Sequence, residues 1–148
     1  MTRPRYEAIA DVAMTSDADV AAHLDALLER ALRHQVWVTF LDRADRPLPL
    51  LIPTDVPVEP DPEDVEGFRD FLTCLALEEP GCTIVLTFER PGPAEITSRD
   101  RRWLRLLRQA LEWADFPYCG PFLLLGDTVR NVPSGEYRSE PWLEVDDD

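Results

Sequence analysis

The chain has 148 residues, 45% of them hydrophobic, enough for one domain that buries roughly 70% of its extended-chain surface. Its formal charge of -14 repels nucleic acid phosphates and anionic membrane surfaces unless a local patch reverses the sign. Apolar stretches such as Phe122–Leu125 fall far short of the roughly 20 residues that cross a bilayer. Acids also interrupt the N-terminal segment before a signal-type apolar run forms, so a cytoplasmic protein without membrane association is expected.

Residues 1–15 lack a clear period and read as a lead-in. Ser16 is placed as an N-cap with Asp19 as its capping-box partner, and Val20, Leu24, Leu27, Leu28 and Ala31 follow at helical spacing. This predicts a helix over 17–33. The run Val36–Leu41 is almost wholly apolar and β-branched or aromatic, as in a strand covered on both faces. After the turn-rich DRADRP, residues Leu48–Ile52 read as a second strand, paired with the first as a hairpin. Pro53 to Pro62 is a rigid, acidic connector. Asp61 then caps a helix with Pro62 at its first position, and Val65, Phe68, Leu72, Leu75 and Ala76 form its apolar stripe before Pro80-Gly81 stops it. Cys82–Phe88 is the third strand.

Beyond the loop ERPGPAEI, Thr97 and Asp100 form a second capping box for a helix over 98–115. Trp103, Leu104, Leu106, Leu107, Ala110, Leu111 and Ala114 share its apolar face, whereas Arg101, Arg102, Arg105 and Arg108 fall together on the other side. Pro121–Leu125 and Thr128–Val132 read as a closing hairpin around Gly126-Asp127. Residues 133–148 are polar and acidic and are expected to be disordered or loosely docked. The order α-β-β-α-β-α-β-β, with buried strands between amphipathic helices, predicts one three-layer α/β domain over 16–132 with a mixed sheet flanked by helices.

That order and its motifs resemble the RadC-type branch of the JAB/MPN (JAMM) superfamily. The likeness runs through SDADVAAHLDALL, VWVTFLDRADRPL, DPEDVEGFRDFL, TIVLTFERPG, ITSRDRRWLRLLRQAL and FPYCGPFLLLGDTVRNV. In active members a zinc ion is held by two histidines of a His-x-His-Pro segment and by the aspartate of a following Ser-x-x-Asp, while a glutamate from an earlier strand assists the metal-bound water. Matched on Pro91, the histidine positions hold Phe88 and Arg90. The Ser-x-x-Asp corresponds to Thr97 through Asp100 after a one-residue deletion, and LLIPTDV, where the early glutamate belongs, contains none. The resemblance therefore implies a JAB/MPN-like scaffold with vestigial Phe88, Arg90, Thr97 and Asp100, holding no metal and no cofactor.

Other constellations are incomplete. Thr97 and Asp100 are accounted for as helix caps. Glu89 and Glu95 are candidate loop carboxylates for a hydrolase of changed, zinc-independent chemistry. Cys119 has only His23 and His34 as conceivable bases, and neither is placed beside it. The six glycines are scattered and form no phosphate loop. Three cysteines without a CxxC spacing read as reduced thiols. Trp37 and Trp103 are assigned to the core, Trp113 to a boundary and Trp142 to the acidic tail.

All fifteen basic residues are arginine, and the four on the last helix reverse the sign of the chain locally. Their guanidiniums can pair bidentately with carboxylates, so an acidic protein partner, or the tail itself, is expected on Arg101, Arg102, Arg105 and Arg108. The functional expectation is a non-catalytic interaction or regulatory module. The zinc-independent hydrolase is the alternative, and a DNA-processing accessory role comes third.

Overall fold

A computed structural model describes residues 14, 16–114 and 116–142. The expected lead-in lies outside the described residues apart from Met14, and so does the end of the tail beyond Trp142. Among the described residues the elements run α1 (Asp17–Leu27), β1 (Gln35–Leu41), β2 (Ile52–Asp55), a 3₁₀ turn (Pro62–Asp64), α2 (Val65–Glu78), β3 (Thr83–Glu89), α3 (Ser98–Trp113), β4 (Tyr118–Leu125), β5 (Thr128–Arg130) and a final 3₁₀ turn (Ser134–Glu136). The strands form a single mixed sheet in the order β2-β1-β3-β4-β5, antiparallel throughout except for the parallel pair β3-β4.

The two strongest apolar runs are central neighbours, as their composition predicts. β1 and β3 pair from Gln35 opposite Glu89 to Leu41 opposite Thr83. Two-residue alternation then divides the core. Val36, Val38 and Phe40, with Ile84, Leu86 and Phe88, face α2 and α3 in one cluster. Leu41, Val85, Phe122 and Leu124 meet Val20 and Leu24 of α1 in the other. The α3 stripe packs over the first face through Trp103 and Leu107, both buried. Trp103 stacks on Phe88 with ring centroids 5.3 Å apart and donates its indole N–H to the Val58 carbonyl at 3.1 Å. Trp37 is only half buried, at the edge of the second cluster. No helix among the described residues is long and apolar enough to cross a membrane.

Several features differ from expectation. α1 stops at Leu27 rather than continuing to residue 33, because Leu28 turns to extended backbone (φ -92, ψ 132). The amides that would extend the helix are taken by tertiary partners: Ala31 donates to the Gly126 carbonyl, and Leu32 and Arg33 donate to the Glu89 carboxylate. The second strand lies at Ile52–Asp55 instead of Leu48–Ile52. Pro47 and Pro49 cannot donate to a ladder, so only Leu48 bonds to Phe40 before regular pairing resumes opposite Gln35–Val38. Pro53 is tolerated there because β2 is an edge strand.

The third correction concerns the start of the tail. The segment from Pro133 to Trp142 packs against α3 instead of lying loose. Tyr137 is 1% exposed within the first cluster and accepts a hydrogen bond from Arg108 at 3.2 Å. One aromatic anchor outweighs the polar composition of its neighbours.

β4 begins at Tyr118, earlier than the expected Pro121, and its pairing with β3 is irregular between Val85 and Thr87. Gly120 makes this possible. Its φ is +96°, and a Cβ there would lie 2.9 Å from the Leu86 carbonyl oxygen. Gly67 inside α2 has no such duty, since an added Cβ meets nothing within 4 Å. Gly120→Ala is therefore expected to cost about 1–3 kcal/mol, and Gly67→Ala to stabilise by roughly 0.5–1 kcal/mol through helix propensity. Urea unfolding of the two variants checks the opposite signs.

Candidate functional site

β3 emerges from the sheet into the loop that the resemblance identifies as the site, and its last residues set the geometry there. Phe88 points into the core against Trp103. Arg90, two residues on, shares its side of the strand and reaches the N-terminus of α3. Its Nε and Nη2 donate to the two Asp100 carboxylate oxygens at 2.9 and 2.7 Å. Nη2 also donates to the Glu95 carbonyl at 2.7 Å, while Nη1 donates to the carbonyls of Pro91 and Pro93. These five bonds use every N–H of the guanidinium. The side chains of Arg90 and Asp100 are only 10% and 1% exposed, so the pair is held in a medium where an uncompensated charge is costly. Hydrogen bonding to Asp100 raises the Arg90 pKa above its ordinary value, although burial pulls the other way.

Asp100 does a second job. Its Oδ2 accepts from the Thr97 amide at 2.9 Å while the Thr97 hydroxyl accepts from the Asp100 amide at 3.2 Å, completing the expected capping box. The capping explanation is thus present but incomplete, because the same carboxylate anchors a buried cation. Over the pair lies a cleft of about 260 Å³ lined by His34, Val58, Pro93, Thr97 and Arg99 among others.

Neither candidate loop carboxylate lines that cleft. Glu89 is buried on the opposite side of β3, where Oε2 accepts from the Leu32 and Arg33 amides at 2.7 and 3.0 Å and Oε1 from Gln35 Nε2 and Trp37 Nε1 at 3.1 and 2.7 Å. With four donors directed at its two oxygens, it works as a cross-link between the β1 layer and the chain leaving α1. Glu95 is exposed, and only its backbone carbonyl enters the network.

Zinc does not suit this donor set. Of the three positions that the resemblance assigns to ligands, Phe88 has no lone pair to offer and Arg90 is a cation already seated on the third, Asp100. The guanidinium stands where a divalent ion would need the carboxylate free.

Cys119 is half buried, and its thiol donates to Asp17 Oδ1 at 3.2 Å, while neither histidine is its partner. Burial and the Asp17 carboxylate push its pKa up to about 12, so it is a neutral thiol rather than a nucleophile. His23 is buried, and burial lowers its pKa.

The arginines of α3 do not behave as one set. Arg102 is buried and directed away, 3.4 Å from Glu59, which also pairs with Arg99 at 2.6 Å. At about 100° per residue, Arg102 sits beside buried Leu106 rather than with its three relatives. Arg101, Arg105 and Arg108 remain together. Arg101 lies 3.9 Å from the Glu140 carboxylate, Arg105 donates to the Glu140 carbonyl and stacks 4.2 Å from the Trp142 ring, and Arg108 pairs with Glu112 at 3.1 Å.

The Arg90–Asp100 network and the Glu89 cross-link are the features that sequence reasoning missed. Alternation held a usable signal: Glu89 and Arg90 continue the register of a strand whose preceding residues are all apolar or Thr, so both begin as inward positions. No family model matches the chain, and no curated protein is detectably similar to it.

Arg90→Met strands a buried carboxylate and is expected to cost about 3–5 kcal/mol in chemical unfolding, against less than about 1 kcal/mol for Arg138→Gln at an exposed ion pair. Arg90→Lys should recover only part of that loss, since three donors on one atom cannot serve both carboxylate oxygens and three carbonyls. Equal effects at positions 90 and 138 would contradict this ranking. Alkylation of the native chain at mildly alkaline pH, read by peptide mass mapping, should modify exposed Cys74 well before Cys119.

Proposed function

We propose that the chain is a non-catalytic protein-interaction or regulatory module on a metal-free, RadC-like JAB/MPN scaffold. The observation that carries this reading is the Arg90 guanidinium, bound bidentately to Asp100 and donating its remaining N–H groups to the Pro91, Pro93 and Glu95 carbonyls. The aspartate that binds metal in active relatives instead binds a permanent organic cation, which also folds the loop around itself. A cation that cannot exchange ligands or acidify water offers the loop order without the Lewis acidity of zinc.

Two observations weigh against the zinc-independent hydrolase. Glu89 is engaged by four donors on the far side of the strand, and Glu95 stands exposed, outside the cleft over Arg90 and Asp100. A DNA-processing role conflicts with the charge of -14. The interaction reading draws support from the arginine face of α3, where a segment of the chain already sits on Arg101 and Arg105.

Metal content provides the test. Purified protein, analysed by inductively coupled plasma mass spectrometry after incubation with excess zinc and gel filtration, should carry only traces, and a chelator should leave its melting temperature unchanged. A stoichiometric zinc ion that stabilises the fold would overturn the assignment of Phe88 and Arg90 to the ligand positions.

A further inference from the structure

We propose that the Arg101, Arg105 and Arg108 face of α3 is a docking groove for an extended acidic peptide containing an aromatic residue, and that the chain's own Glu140–Trp142 segment is its resident intramolecular occupant. This rests on the interaction-module reading and names its partner chemistry and its regulation.

The charge balance comes first. Among the described residues, Arg101, Arg108 and Arg138 form ion pairs with only two carboxylates, Glu112 and Glu140, while Arg105 meets the Glu140 backbone carbonyl. Counted over these described residues, four guanidiniums face two carboxylates, a local excess of positive charge on a chain of -14. The occupant then displays the mode of recognition. Glu140 offers its carboxylate to Arg101 and its carbonyl to Arg105, while the Arg105 guanidinium carbon sits over the Trp142 ring, 4.2 Å from its centroid. A carboxylate followed by an indole is therefore what this surface accommodates.

The segment does not fill the groove. Beyond Arg105 a cleft of about 260 Å³ continues between Arg108 and Arg138, with Tyr137 in its wall and Trp113, 52% exposed, at its rim. From Arg101 to Arg108 the helix advances about 10 Å, the length of roughly three residues of extended peptide. A partner segment with one more carboxylate and an aromatic side chain can use Arg108, Arg138 and Trp113, which the resident leaves open. Nucleic acid offers the wrong balance, since each phosphate brought to these arginines also approaches the acidic body of the chain.

A half-buried ion pair, a hydrogen bond to the Glu140 carbonyl and a cation–π contact hold the resident, and the two that involve its side chains are worth roughly fivefold. That is enough to bias the groove towards closure and too little to lock it. The intramolecular segment acts as a competitor whose removal raises the affinity for an external one.

The experiment uses a fluorescent peptide of residues 139–148, SEPWLEVDDD, titrated by anisotropy at low and moderate salt with the full-length chain. E140A/W142A is expected to bind roughly fivefold more tightly than the unmodified chain. R101Q/R105Q placed in that background should abolish the gain, and R105K should retain part of it because the charge survives while the planar stack is lost. Binding should weaken as salt rises. Circular dichroism establishes that each variant is folded. The proposal is overturned if E140A/W142A binds no better than the unmodified chain, if the glutamine variant binds equally well, or if an oligothymidylate binds as tightly as the peptide. Its failure in a zinc-free, inert protein leaves the scaffold reading intact. Stoichiometric zinc removes the scaffold reading whatever the peptide does.

Discussion

A central strand covered on both faces has to deliver its chain back to the surface, and β3 does so through two adjacent charged residues while both are still buried. Glu89 points towards the α1 side and Arg90 towards the α3 side. Leaving either charge uncompensated would cost several kcal/mol, comparable to the whole stability of a small domain. Each therefore recruits partners from a different layer. Glu89 draws two amides from the chain beyond α1 and two side chains from β1. Arg90 draws three loop carbonyls and the first-turn aspartate of α3. The end of α1, the course of the loop and the seating of α3 all follow from how these charges are satisfied.

Identical side chains carry different weight according to burial. Arg90 uses its full donor set at 10% side-chain exposure, whereas Arg108 and Arg138 share Glu112 at a surface where water and salt compete. The first is structural by energetics. The second kind is weak enough to be exchanged, which is what a reversible contact needs. Arg102 belongs with neither group: it is buried, but its partner Glu59 stands largely in solvent.

Much of the fold was legible because it depends on local patterns. Val36–Leu41 and Cys82–Phe88 announce central strands by composition alone, Thr97 and Asp100 announce a helix start by spacing, and the element order follows. The errors lie where long-range bonds override local preference. Nothing in LLERALRH shows that its amides will be claimed by Glu89, whose contacts are more than fifty residues away. Two prolines shifted β2, and a single tyrosine docked a segment whose neighbours are polar. At the candidate site the positions were found but their relation was not. Arg90 and Asp100 read as separate positions, and only the fold reveals that the one is seated on the other. The four α3 arginines likewise read as one face, although the 100° step already turns Arg102 towards Leu106, where it is submerged.

The short strands at the two margins of the sheet have a consequence for how copies of the chain behave in a crowded solution. Among the described residues, β2 spans four residues and β5 three. Pro53 removes one of the few amides that the first could present to a neighbour. A sheet whose interior strands are as apolar as β1 and β3 is a template for cross-β growth wherever a long, flat margin is left open. Here both margins are too short, and one too poor in donors, to nucleate that growth. The sticky sequences are kept in the middle of the sheet, and colloidal stability comes from where the strands end as much as from the negative charge around them.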